Sequence, residues 1–352
     1  MWMLAAFAYN RTAITGTDAA RAMTRGRVKT SMYLLAAATA LMAGLRFEVG
    51  ADWFNYLANY QLVQFLSYAQ ALETFDIGYA SLVYVAAKMD AGIWLVNTAC
   101  AIIMVTGVAI FSARQRNPAL TFLVAIPYLV IVVGMGYTRQ GTAIGIILAG
   151  LADADRNRIV RLIVCILLAA LFHRTALLVL PIALAPLARR NLVQSIGAGI
   201  VFAVLFALLL RNSTDTLVET YINQDYESGG AVVRVAMNAI PAVLALLLRK
   251  RLGFNDYQRD MWSVFALAAL GGLVLVLTTS FTTAIDRGAL FLIPLQLAIL
   301  PRLPYTLGGT RQKNAQILLA VCGYSAAIQL VWLVFATHAE YWVPYRNVLF
   351  DA

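Results

Sequence analysis

The sequence predicts an all-α polytopic membrane protein with about eleven transmembrane helices, and three observations predict it. Of 352 residues, 61% are apolar and only 12% are charged, where an ordinary soluble domain carries about 25% charged residues. The apolar residues gather in runs such as 93–111, 119–135, 193–210, 262–279 and 315–335, close to the roughly 20 residues that a helix needs to cross a bilayer core. The basic residues fall in alternate gaps between the runs, as the bias of Lys and Arg toward cytoplasmic loops requires.

Each run must be a helix because backbone groups in lipid have to bond within their own segment. The runs are too long, and alternate too poorly, for the strands of a barrel. In chain order the spans read 31–46, 92–111, 119–136, 138–152, 159–172, 174–188, 193–211, 232–248, 262–280, 286–301 and 315–337. Residues 1–30 hold a partial helix and a basic segment; 1–9 are too few to cross a bilayer and lack the pattern of a cleaved signal peptide. Residues 31–337 form one transmembrane domain, and 338–352 an outer tail.

With the N-terminus inside, the basic clusters at 21–29, 114–116, 156–161, 189–190, 249–259 and 302–313 all fall on the cytoplasmic side. This map requires that 47–91 not span, although 77–87 is apolar, so the segment is expected to be interfacial or re-entrant. Residues 212–231 form the longest polar outer loop and are expected to act as a lid.

The net charge of +10 is spread through these loops, so it does not point to nucleic acid. Cys100, Cys165 and Cys322 each sit within an apolar run and read as core hydrophobes. With two histidines, His173 and His338, no metal centre is expected. Asp153-Ala-Asp155 matches the paired aspartates of soluble sugar-nucleotide transferases, but its place in a short loop between helices reads as solvated charge.

Some cations defy the topology rule: Arg46, Lys88, Arg139, Arg174, Arg211, Arg234, Arg287 and Arg346 fall on the outer side. Arg46 ends the first span, Arg139 and Arg287 open later ones, and Arg174 lies at a helix junction. A guanidinium close to hydrocarbon is costly without a partner, and its planar fork suits phosphate. The expectation is a diphosphate held at the outer membrane surface. Arg46-Phe-Glu48-Val-Gly50-Ala-Asp52-Trp53-Phe-Asn55-Tyr56, with Asn59 and Tyr60, opens the outer segment. A helix after Gly50 would place Asp52, Tyr56 and either Asn59 or Tyr60 on one face. A carboxylate among amphipathic aromatics and amides suits a sugar-binding surface. His173 interrupts a long apolar stretch, and an ionisable group there is a functional candidate.

Taken in order, the Arg46 to Tyr60 stretch, Asp76-Ile-Gly78-Tyr79, Tyr137-Thr138-Arg139-Gln140-Gly141-Thr-Ala143, Leu171-Phe172-His173-Arg174, Asp286-Arg287 and Pro344-Tyr345 resemble the EpsG family. That family is similar to the Wzy-type polymerases of bacterial surface polysaccharides. The resemblance runs from about residue 31 to the end, and departs at the N-terminus, where the family usually has a complete helix.

The resemblance implies a metal-independent glycosyltransferase of GT-C-like membrane architecture, without a cofactor, in the bacterial inner membrane with its site facing the periplasm or exterior. Donor and acceptor would be undecaprenyl-diphosphate-linked glycans, and partners would include membrane lipids, a chain-length regulator and a flippase. On that reading Asp52 is the first candidate for catalytic base and His173 the second. Arg46, Tyr56, Tyr60, Tyr79, Arg139, Gln140, Arg174, Asp286 and Arg287 are the expected substrate contacts, with Asp286 orienting Arg287. A transporter or flippase of lipid-linked anions, or an O-antigen-ligase-like transferase, is the alternative; a transporter would be expected to show repeated halves.

Overall fold

A computed structural model describes residues 32–188 and 230–351. The expected span 193–211, the basic clusters at 21–29 and 189–190, the partial helix before residue 31 and nearly all of the loop 212–231 lie outside the described residues. Within them the chain is helical, apart from one isolated antiparallel bridge between Arg46 and Asn347.

The main helices are α1 (Met32–Gly44), α2 (Trp53–Val63), α3 (Tyr68–Thr74), α4 (Ile77–Lys88), α5 (Gly92–Ala113), α6 (Pro118–Gly134), α7 (Thr138–Leu151), α8 (Ile159–Ala170), α9 (Val179–Ala188), α10 (Ala231–Leu247), α11 (Asp256–Thr278), α12 (Thr282–Leu307) and α13 (Arg311–Phe335). Four of them, α5, α11, α12 and α13, are long and apolar enough to cross a membrane. Every other expected span among the described residues also falls on a helix, each too short to meet that length and hydropathy requirement alone.

Local chemistry sets the helix limits. Asn117 caps α6 by accepting from Leu120 N–H at 3.1 Å, and Pro118 follows at the position where a missing N–H is harmless. Pro127 then removes an internal donor, and the helix is wound as a π-helix over Ile126–Gly134. The α5–α7 contact depends on glycine. A Cβ on Gly107 would lie 1.8 Å from Gly145 O, and one on Gly145 would lie 2.4 Å from Met104 Cα. Gly141 and Gly145 form the small-xxx-small pattern by which membrane helices approach closely. Gly107→Val is expected to force α5 and α7 apart and to lower the melting temperature of detergent-solubilised protein; an unchanged melt would mean the two backbones can separate at no cost.

The segment 47–91 carries three short helices with a core of their own, built from Trp53, Tyr56, Tyr60, Val63, Ala71, Tyr79, Val83 and Ala86. Ser67 and Gln70 form a capping box at the start of α3. Tyr60 closes the unit, its hydroxyl donating to Ala86 O at 3.3 Å and accepting from Gly92 N–H at 2.9 Å.

The two ends of the bundle differ in charge. At one end Asp153 takes Arg114, Arg158 and Arg161 at 3.1–3.5 Å. Asn255 donates to Asp155 at 3.2 Å, and Arg302 reaches Gln115 Oε1 and Leu252 O while lying 4.1 Å from the Phe254 ring centre. The described parts of the loops expected in the cytoplasm therefore meet at one end. Asp153, expected to be solvated charge, is instead the shared partner of three arginines.

The opposite end gathers the turns at 45–52, 135–138, 171–174 and 278–282 with the chain terminus. There residues 341–348 run back along the first turn: Gly50 N–H donates to Tyr341 O, Phe47 N–H to Arg346 O and Val348 N–H to Leu45 O, at 2.9–3.0 Å. Arg346 pairs with Glu48. Trp342 is buried against Trp332 and over Gly136, and its indole N–H donates to Ile131 O at 2.9 Å. The expected outer tail thus runs along the bundle end and is pinned there by Trp342, while Val343, Leu349 and Phe350 stay exposed.

Candidate active site

Arg46 leaves the first helix and turns inward. It is 1% exposed, and its guanidinium donates to Ala43 O (2.6 Å), Val49 O (3.2 Å), Asn97 Oδ1 (3.0 Å) and Thr138 Oγ1 (2.8 Å). It ties α1, the outer segment, α5 and α7 together. Gly50, at φ +108°, allows the next turn: a Cβ there would lie 2.4 Å from Met135 O. The turn delivers Asp52 to the N-cap position of α2, where its side chain makes no capping bond. Among the described residues the Asp52 carboxylate has no hydrogen-bond or ion-pair partner. Partial burial raises its pKa above the usual aspartate value, against the pull of Arg287, Arg139 and His338.

Asp76 stands at the N-cap of α4, also without capping its helix. Its Oδ1 accepts from Arg174 Nε at 3.1 Å, and its Oδ2 lies 3.4 Å from Arg139 Nη1. His173 Nδ1 is 3.7 Å from the same Oδ2, longer than a hydrogen bond but within electrostatic contact. Burial works to raise the Asp76 pKa, and the adjoining His173, Arg174 and Arg139 outweigh it and hold it below the ordinary carboxylate value. The Arg139 guanidinium lies 5.0 Å from the centre of the Phe75 ring, which meets Tyr79 edge-on.

The first turns of α12 complete the site. Gln140, next to Arg139, donates to Arg287 O at 2.6 Å. This holds the Arg287 backbone while its side chain stays exposed, with no hydrogen-bond or ion-pair partner among the described residues. The imidazole of His173 stacks near Phe291 at 6.1 Å. Asp286 pairs with Arg234 at 2.8–3.0 Å.

The structure therefore brings Asp52, Arg139, His173, Arg174 and Arg287 to one end, around Asp76. It does not bring Arg46, Tyr60 or Tyr79 to a substrate. These expected contacts are corrected: Arg46 is used up by internal acceptors, and Tyr60 and Tyr79 are 5% and 0% exposed in the core of the outer segment. Tyr56 and Gln140 are buried as well, at 6% and 4%, one packed on Phe75 and Tyr79, the other holding Arg287. Asp286 was expected to orient Arg287 and instead binds Arg234. Sequence reasoning assigned no role to Asp76 or Arg234; an acid beginning an apolar helix and a cation inside another were the available signals.

A half-buried, unpaired carboxylate beside arginines can accept a proton from a hydroxyl while the cations hold an anion. The EpsG family model matches residues 29–347 of this chain. No curated protein and no solved structure matches it.

Proposed function

This chain belongs to the EpsG family, and from that premise we propose that it polymerises a bacterial surface polysaccharide. It is a multi-pass membrane protein; the finer reading is about eleven spans in a GT-C-like arrangement, in the inner membrane, with the Asp52 end outside. The growing glycan moves from undecaprenyl diphosphate onto a newly delivered lipid-linked repeat unit. The acceptor hydroxyl attacks the anomeric carbon of the donor, forming the new C–O bond. The bond from that carbon to the diphosphate oxygen breaks, its electron pair leaves with the diphosphate, and the hydroxyl proton passes to Asp52.

One observation carries this reading: Asp52 and Arg287, the unpaired charges described above, lie within electrostatic range of each other beside the Arg139–Asp76–Arg174 cluster. Arg287, Arg139 and Arg174 would hold the leaving diphosphate, since fixed cations are worth most where charge develops. His173 lies next to Asp76 as the second candidate base.

Purified protein given a lipid-linked repeat unit should produce a ladder of products. A single transfer to a different acceptor would instead indicate a ligase, and unchanged substrate carried across a vesicle membrane would indicate transport; either result overturns the polymerase.

A further inference from the structure

Asp76 is the carboxylate on which two arginines and a histidine converge at the outer end. One of its oxygens meets Arg174, the other meets Arg139 and faces His173. Burial falls in sequence: the side chain of Asp76 is 7% exposed, that of Arg139 28% and that of Arg174 45%. The acid lies underneath and the cations rise from it toward the surface.

The local backbone is arranged for this. Aspartate is a preferred helix cap, yet Asp76 leaves the start of α4 uncapped and turns its carboxylate to cations 63 and 98 residues away in sequence. Gly78 makes the approach possible. Its N–H donates to Leu171 O at 2.7 Å, and a Cβ there would sit 3.0 Å from that same oxygen. The first turn of α4 is thereby docked on the turn that presents His173 and Arg174.

The contacts themselves are one nitrogen to one oxygen, not the two-pronged grip of a closed Arg–carboxylate pair. Arg287, without a hydrogen-bond or ion-pair partner among the described residues, adds a third guanidinium beside Arg139 and Arg174. Three guanidinium groups at one end of the bundle complement an anion carrying two charges, such as a diphosphate diester.

We infer that Asp76 is the positioning residue of the diphosphate site, a buried anchor that fixes Arg139 and Arg174 in the orientation that receives the lipid diphosphate. This rests on the polymerase reading above. Arginine side chains are long and lose considerable freedom on binding; a carboxylate that holds them beforehand removes that cost from the binding step. Asp76 touches the cations and not the reacting atoms, so its effect should appear first in anion affinity.

The test uses full-length protein in detergent, with inorganic pyrophosphate as an inhibitor of chain extension. Asp76→Asn is expected to raise the pyrophosphate Ki and the KM for lipid-linked repeat unit about tenfold, the loss of one charge-assisted contact. Asp76→Glu, which keeps the charge, should fall between Asn and wild type. If Asp76→Asn does not accumulate, the Ki of Asp76→Glu decides, and a wild-type value there overturns the inference. A wild-type enzyme that polymerises and is inhibited, alongside an Asn variant with unchanged Ki and KM, overturns it while leaving the polymerase standing. A wild-type protein that makes no ladder and ignores pyrophosphate removes the polymerase reading, and the anchor with it.

Discussion

Asp52→Asn is expected to slow chain extension by about 10²–10⁴-fold, the range for loss of a general base, while thermal stability stays the same or rises. The two halves of this prediction have one cause. Asp52 is half-buried, without a hydrogen-bonding or ionic partner among the described residues, and burial lifts its pKa despite Arg287, Arg139 and His338. A folded-state pKa above the unfolded value means that the folded protein binds this proton more tightly. The resulting stability is present below the unfolded pKa and is lost as pH rises through the folded one. At neutral pH the ionised group is therefore a net cost, which Asn does not carry. Catalysis runs the other way, because the base must be deprotonated. Activity should climb with pH through the raised pKa, with its acid limb above about 3.9, the ordinary aspartate value. Initial rates of ladder formation against pH, with melting curves of both proteins, check this. An Asn variant that loses activity and melts earlier would make Asp52 part of the scaffold.

Arg46→Ala and Arg287→Ala should fail in opposite ways. Arg287→Ala is expected to lower kcat about 10²–10³-fold, the usual cost of removing one stabilising donor from a reaction site. Its stability should stay within about 0.5 kcal/mol of wild type, as for an exposed side chain without partners. Arg46→Ala removes a 1%-exposed guanidinium from four acceptors. Leaving several buried acceptors unsatisfied costs on the order of 3 kcal/mol or more, so this protein should aggregate or fail to accumulate. Membrane protein level, monodispersity in detergent and specific activity separate the two. A stable, inactive Arg46→Ala protein would return Arg46 to the substrate.

The fate of particular residues separates what was legible in the sequence from what was not. Arg46, Arg139, Arg174 and Arg287 look alike as cations at helix ends, and three of the four do reach one site. What distinguishes Arg46 is that Asn97 and Thr138, far along the chain, supply acceptors for it. Tyr60 and Tyr79 carried the signal of a binding surface, since amphipathic aromatics serve equally well in a membrane interface, a sugar site or a small core. Packing of α2 on α4 selected the core. Asp76 was visible only as part of a motif, and its meaning depended on Arg139 and Arg174 arriving from two other helices.

By itself the sequence determined that the chain is built of apolar helices, that its loops divide into two chemically different ends, and that its ordered motifs mark it as a member of its family. Those properties follow from hydropathy, the span a helix needs and the sidedness of Lys and Arg, which are local sums along the chain. Only the tertiary structure decided which charges are consumed internally and which remain available. A guanidinium or carboxylate is assigned by the partners within about 4 Å of it, and in a bundle those partners come from segments that no local pattern links.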